Sequence, residues 1–217
     1  MKNETRDTAD QTTRAKILEA ATTVFAEKGF RDGTTRMICQ AAKVNVALVN
    51  YYFRSKHDLY KEVVLNLFEG IIPDLTEPLP PITDEASWRA AIRRWVGQIL
   101  ALCASEEPPL CNLARLMGHE ASLPTDVSQT FEKQLVRPLR DRFIALLTMG
   151  LNAPTETEFN LWFSSVHAQC AIYAIAKPDW RQLYCPKDLP LKTWLEKVSD
   201  HICGVLFDSL SFQGGAS

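Results

Sequence analysis

The chain has no apolar run near the roughly 20 residues that a helix needs to cross a bilayer. Its opening residues, MKNETRDTADQTTR, contain no apolar stretch, so no secretory signal is expected there. It lacks GxSxG, the P-loop, HExxH and GxGxxG, the short patterns that present a nucleophile, cradle phosphate, hold zinc or bind a dinucleotide. His119-Glu120 is an adjacent pair, and neighbours on a helix do not face each other, so it makes no acid–base couple. None of the six cysteines forms a CxxC pair. His167 with Cys170, and His201 with Cys203, have ligand-like spacing, but no second conventional half-site accompanies them. Packing is the simpler reading for these thiols. The expectation is a soluble, cytoplasmic chain that is not an enzyme, with no metal, cofactor or membrane association.

The net charge of −2 excludes a uniformly basic coat, yet the charge is unevenly placed. Residues 1–56 carry ten Lys and Arg against six Asp and Glu, a net +4; the rest holds fourteen against twenty, a net −6. A basic head on an acidic body suits a protein that touches phosphate with one end only. With 217 residues and 46% hydrophobic content, the chain can bury a substantial core in one or two domains.

The basic head contains the most informative stretch, Thr34–Lys56, TTRMICQAAKVNVALVNYYFRSK. Met37, Ile38, Ala41 and Ala42 recur at helical spacing, and Thr34 or Thr35 is placed to cap that helix. Lys43-Val44 breaks the pattern, and Asn45 is placed to cap a second helix through Val46–Tyr52. This is the outline of a helix-turn-helix, whose second helix presents side chains to base edges. An amphipathic helix precedes it, with Ile17, Leu18, Ala21, Val24 and Phe25 on one face and a stop expected at Gly29-Phe30. Ser55 and Asp58 have capping-box spacing, which opens a further helix over Asp58–Ile72.

The segments ILEAATTVFAEKGF (17–30), TTRMICQAAKV (34–44) and ALVNYYFRSKHDLY (47–60) together resemble the TetR family of bacterial regulators, and NYYF before the basic pair looks most like its CecR-type branch. The resemblance covers about 50 residues in detail and is only architectural beyond residue 70. Three positions depart from the family pattern: Lys43 replaces a common turn glycine, Leu48 a small hydroxyl residue, and Asn50 an aromatic. These departures leave the operator sequence open. The resemblance implies an all-α fold: a three-helix head over residues 12–57, then a helical bundle over 58–212 for ligand binding and dimerisation.

The expected second half is a series of helices. PDLTEPLPPITDE (73–85), with four prolines, predicts a stiff connector that stops the preceding helix. Trp88, Ile92, Trp95, Val96, Ile99 and Cys103 line one face of the next helix. A short helix over Leu110–Glu120 follows, then a longer one over Pro124–Met149 that Pro138 should kink and Gly150 close. Thr155 and Glu158 open another helix, Glu156–Ala176, and a loop with Pro178, Pro186 and Pro190 leads to the last, through Leu191, Trp194, Val198, Ile202 and Leu206. The final two helices are so apolar that a partner subunit is the expected cover. The tail SFQGGAS is expected to be disordered.

Roles follow from position. Thr34, Thr35 and Arg36 lie at a helix start that can meet DNA phosphate. Asn45, Val46, Ala47 and Asn50 sit at the recognition-helix start or one turn on; asparagine suits bidentate pairing with adenine, and small apolar groups suit thymine methyls. Tyr51 and Tyr52 are candidates for backbone oxygens, and Lys56 resembles the family's phosphate-contacting lysine. For a small-molecule effector the eligible polar groups are Arg115, His119, Glu120, His167 and Gln169. The expected function is a homodimeric repressor that a small molecule releases from a pseudo-palindromic double-stranded DNA operator. The rival reading is a helical sensor or interaction scaffold with a vestigial head.

Overall fold

The computed structural model describes residues 4–75, 77–152, 154–175 and 185–210. Ala176, Pro178 and the SFQGGAS tail lie outside the described residues, so the expectations placed on them are left there. The described residues are helical with no strand, in the all-α class that the sequence predicts.

The head is built on α1 (Glu4–Asp32), α2 (Thr35–Ala42), α3 (Val46–Phe53) and the start of α4 (Lys56–Leu75). α1 begins well ahead of the expected boundary at residue 12. It also runs past the expected stop at Gly29-Phe30, because Gly29 absorbs a break (φ 72°, ψ 175°) and helical geometry then resumes to Asp32. Only glycine takes that φ cheaply. Ile17, Ala21, Phe25, Ile38, Val49, Phe53, Leu59 and Tyr60 close the head's core. Each large side chain so buried stabilises the fold by about 1.5–3 kcal/mol relative to exposure.

Two proline expectations need correction. α4 does not stop before Pro73 but carries it and ends at Leu75. A proline there removes one hydrogen bond only, in a turn that is already the last. The helix expected over Pro124–Met149 is three pieces: α7 (Ser128–Phe131), a π-helical turn (Glu132–Val136) and α8 (Arg137–Thr148). Arg137 N–H donates to Glu132 O, five residues back, so the chain widens where the ring of Pro138 would crowd the carbonyl of Gln134. Pro138 then occupies the first turn of α8, where its missing N–H is tolerated.

The body is organised around α5 (Glu85–Ala104), capped by Asp84 and Ser87 reciprocally. Trp88, Ile92, Trp95, Val96 and Ile99 are fully buried along it. α6 (Leu110–Ser122), α8, α9 (Glu156–Ile175) and α10 (Leu191–Asp208) pack around this helix. Thr155 and Glu158 form the expected capping box: Thr155 N–H donates to Glu158 Oε2 at 2.8 Å, and Glu158 N–H donates to Thr155 Oγ1 at 3.2 Å. No helix among the described residues is long and apolar enough to cross a membrane.

Candidate nucleic-acid interface

α3 is held in place by its inner face and presents its outer one. Val49 and Phe53 are buried, four residues apart, while Val46, Ala47, Asn50 and Tyr51 lie on the opposite side. Val46 is 49% exposed and Tyr51 73%, so this face of α3 offers apolar and aromatic surface to solvent. Tyr52 is half-buried and meets Tyr51 edge-on at 5.0 Å, so it belongs partly to the core.

The ends of α2 and α3 are fixed by side-chain caps. Thr34 Oγ1 accepts from Met37 N–H at 3.2 Å, which settles Thr34 over Thr35 as the cap of α2. Asn45 Oδ1 accepts from Leu48 N–H at 3.0 Å, so its carbonyl oxygen is committed to the helix and its amide N–H groups face outward. Arg36 is exposed beside Thr34. The turn between the two helices passes through Lys43 in the left-handed region (φ 56°, ψ 43°), its N–H directed at Cys39 O and Gln40 O. A side chain makes that conformation costly. Lys43→Gly is therefore expected to raise the unfolding free energy by about 1 kcal/mol, measured by denaturant titration; equal or lower stability would show that the lysine stem makes compensating contacts.

Lys56 is less free than its position in the sequence suggests. Its ammonium donates to Arg31 O at 3.2 Å and lies 4.7 Å from the centre of the Phe30 ring, closing the C-terminal end of α1. Burial lowers its pKa from the ordinary lysine value, with Asp32 pulling the other way. Ser55 Oγ accepts from Asp58 N–H at 3.0 Å, as the capping-box reading predicts, although Asp58 answers to the Ser55 hydroxyl at 2.6 Å.

The head is fastened to the body by polar contacts that claim two of the effector candidates. The Glu120 carboxylate, 5% exposed, accepts from Tyr60 O–H at 2.8 Å, Thr125 N–H at 3.0 Å and Ser128 O–H at 2.6 Å. Burial and the adjacent carboxylate push the Tyr60 pKa far up. His119 Nε2 lies 3.2 Å from Ala26 O, under Gly29, where a Cβ would come within 3.0 Å of the imidazole. Nearby, His57 Nε2 meets Asp126 Oδ1 at 2.5 Å and Lys61 approaches the same carboxylate at 3.3 Å, holding the Asp126 pKa below the usual carboxylate range. His119 and Glu120 thus join α6 to α1 and α4, with the Nε2 of the one and the carboxylate of the other already engaged.

The other effector candidates do not converge with them. Arg115 is exposed, and Gln169 donates to Ser165 O of its own helix at 3.2 Å. His167 is half-buried against the Phe163 ring, stacked at 5.7 Å. Sequence reading missed the partners Tyr60, Thr125, Ser128 and Asp126. One signal was available: Glu120 shares the spacing of Leu113 and Leu116, which places it on the buried face of α6. Five of the six cysteines are buried, and burial pushes Cys103 up to about 12 and Cys203 up to about 11, which disfavours the reactive thiolate there.

The family profile of bacterial regulatory proteins of the tetR family matches residues 17–63, the span from α1 into α4. The probable HTH-type transcriptional regulator YttP of Bacillus subtilis is 41% identical over 58 residues, 27% of this chain and 28% of that protein. The HTH-type transcriptional dual regulator CecR of Shigella flexneri is 29% identical over 147 residues, 62% of each. The chain covers less than two thirds of the length of these curated relatives. The fold is similar to the crystal structure of a transcriptional regulator from Rhodococcus sp. Rha1, with a TM-score of 0.65 at 21% identity over 90% of this chain and 96% of that one. Residues 17–63 thus match the tetR-family model in sequence and form a helix-turn-helix, and the fold of the chain as a whole is similar to that of a bacterial transcriptional regulator.

Proposed function

We propose that this protein is a ligand-responsive repressor that binds a pseudo-palindromic operator as a homodimer and leaves it when a small molecule occupies the body. The observation that carries the reading is the outward face of α3, where Val46, Ala47, Asn50 and Tyr51 project from a helix pinned by Val49 and Phe53. In this reading Asn50 and the outward amide of Asn45 read base edges, and Val46 and Ala47 meet thymine methyls. Thr34, Thr35, Arg36, Tyr51, Tyr52 and Lys56 hold phosphates and set the register. Residues 12–57 serve as the DNA-binding unit and 58–212 as the effector and dimerisation unit, with α4 belonging to both.

Dimerisation is supported by apolar side chains that stand exposed on the last two helices among the described residues. Leu161 (63% exposed) and Ile172 project from α9, and Val205 from α10. Two heads about one helical turn of DNA apart, near 34 Å, then enter successive major grooves. An effector that binds better to a body with differently spaced heads draws the population off the operator. Acting in the cytoplasm, such a protein needs neither metal nor cofactor.

The test is duplex binding against salt and sequence. Affinity for the operator is expected to fall steeply as salt rises. Asn50→Ala is expected to reduce the preference for operator over random DNA by about tenfold, with random-DNA affinity little changed. Lys56→Ala is expected to weaken all sequences alike by several-fold, and to loosen the end of α1 through the lost Arg31 contact. Equal losses from both variants on operator and random DNA overturn that division of roles. Absence of any duplex binding favours the scaffold reading.

A further inference from the structure

Among the described residues two non-glycine side chains stand at positive φ, Lys43 (56°) and Arg54 (54°). Both are basic and exposed, and they bracket α3. A side chain in that region costs free energy, and such strain gathers where a site depends on it. Lys43 has a further setting. It lines a cleft of about 850 Å³ between α1 and the α2–α3 turn, together with Ala42 and Asn45 of the turn and Lys16, Glu19 and Thr23 of α1. A cleft of that size admits a ligand as large as a nucleotide. Glu19 is the one acid among the lining residues.

The two lysines of this cleft are uncommitted. Lys61 is paired with Asp126 and Lys56 is drawn to Arg31 O, whereas the ammonium groups of Lys16 and Lys43 have no ion-pair or hydrogen-bond partner among the described residues. The Lys43 ammonium thus returns nothing to the fold for the strain beneath it. The cleft is continuous with the outward face of α3. It takes in Asn45, whose amide N–H groups face outward, and Leu48, the neighbour of Ala47. A helix seated in a major groove has a phosphate strand on either side of it. We propose that a duplex seated on Val46, Ala47 and Asn50 lays the sugar–phosphate backbone of one strand in this cleft, where Lys43 grips it from the turn and Lys16 from α1. The inference rests on the DNA-binding reading above and adds a second phosphate surface, on α1, to the one at the start of α2.

The experiment measures affinity against salt for a duplex that the full-length protein selects from a random-sequence pool. Each phosphate contact contributes about 0.9 to the slope of log affinity on log salt. Lys43→Gly and Lys16→Ala should each lower that slope by about one and weaken binding about fivefold near 0.1 M salt, and the double variant should lower it by about two. Lys43→Gly relieves the strained turn, so its loss of affinity cannot come from a less stable head. Lys43→Arg, which keeps the charge, should keep the slope. Glu19→Gln should tighten binding about twofold by removing the acid that faces the same strand. Lys192→Ala, which removes an exposed lysine at the start of α10, should change neither slope nor affinity. An unchanged slope in Lys43→Gly and Lys16→Ala, or an equal loss from Lys192→Ala, overturns the proposal and leaves the regulator reading intact. Binding of inorganic triphosphate that responds to both lysines, beside a DNA slope that does not, assigns the cleft to a free phosphate compound and overturns it too. A parent protein that selects no duplex removes the DNA-binding reading, and this inference with it.

Discussion

Gly150→Ala is expected to lower the unfolding free energy by about 3 kcal/mol and the melting temperature by roughly 6–12 °C. A Cβ at this position would sit 2.3 Å from Cε2 of Trp88 and 2.5 Å from its Nε1, distances no side chain tolerates. The indole has nowhere to go. It is fully buried, tied through its N–H to Leu146 O at 2.8 Å, and packed beside Phe207 at 6.1 Å between ring centres. The α8–α9 turn would have to lift instead, and with it the start of α9. Gly70→Ala is the matched control: nothing lies within 4 Å of its Cβ position in α4, so alanine there should stabilise by about 0.5–1 kcal/mol. Thermal unfolding of the two variants checks the contrast, and a Gly150→Ala protein that melts with the parent would show that the turn yields freely.

Much of this fold was legible because its determinants are local. The Thr34, Asn45 and Ser55 caps lie next to the helices they start, and the apolar stripe of α5 repeats at a period that geometry alone explains. Two proline effects were misread for a common reason: a missing N–H forbids one hydrogen bond, and whether the helix stops, runs on or widens depends on its neighbours. At Pro73 the helix had two residues left, and at Pro138 a π-helical turn moved the carbonyls aside. The outward residues of α3 follow from their order after a cap, which again is local. The effector candidates were not, because a polar residue on a helix says nothing of what meets it from another element. His119 and Glu120 look like ligands in isolation and prove to face Ala26, Tyr60, Thr125 and Ser128. Trp95, whose sequence pattern marks it only as core, differs from Trp88 by a hydrogen bond that no spacing rule reveals.

Glu120→Ala is expected to cost about 3–4 kcal/mol, because the carboxylate is the shared acceptor of a buried cluster. Its removal leaves the Tyr60 hydroxyl without a partner inside the protein, and the Thr125 and Ser128 donors of the α6–α7 loop must find others. Tyr60→Phe should cost less, about 1–1.5 kcal/mol, since Glu120 keeps its loop donors. The double variant should then be more stable than the sum of the two single losses predicts, by 1 kcal/mol or so of coupling. The same bond carries a pH signature. Burial and Glu120 raise the Tyr60 pKa above its unfolded value near 10, so the stability it contributes is fully present below about pH 10 and is lost as the pH rises beyond it. Tyr60→Phe should flatten that alkaline decline, and an unchanged profile would place its origin elsewhere. Function enters through α4. The helix begins at Lys56 beside the end of α1, carries Tyr60 to Glu120, and packs against α3. If the body positions the heads through this joint, Glu120→Ala should weaken operator binding several-fold at temperatures well below its melting transition. It should also blunt the release of DNA by an effector. Unaltered operator affinity in a folded Glu120→Ala protein would mean that the spacing of the heads is set by other contacts, and the joint would then be a matter of stability alone.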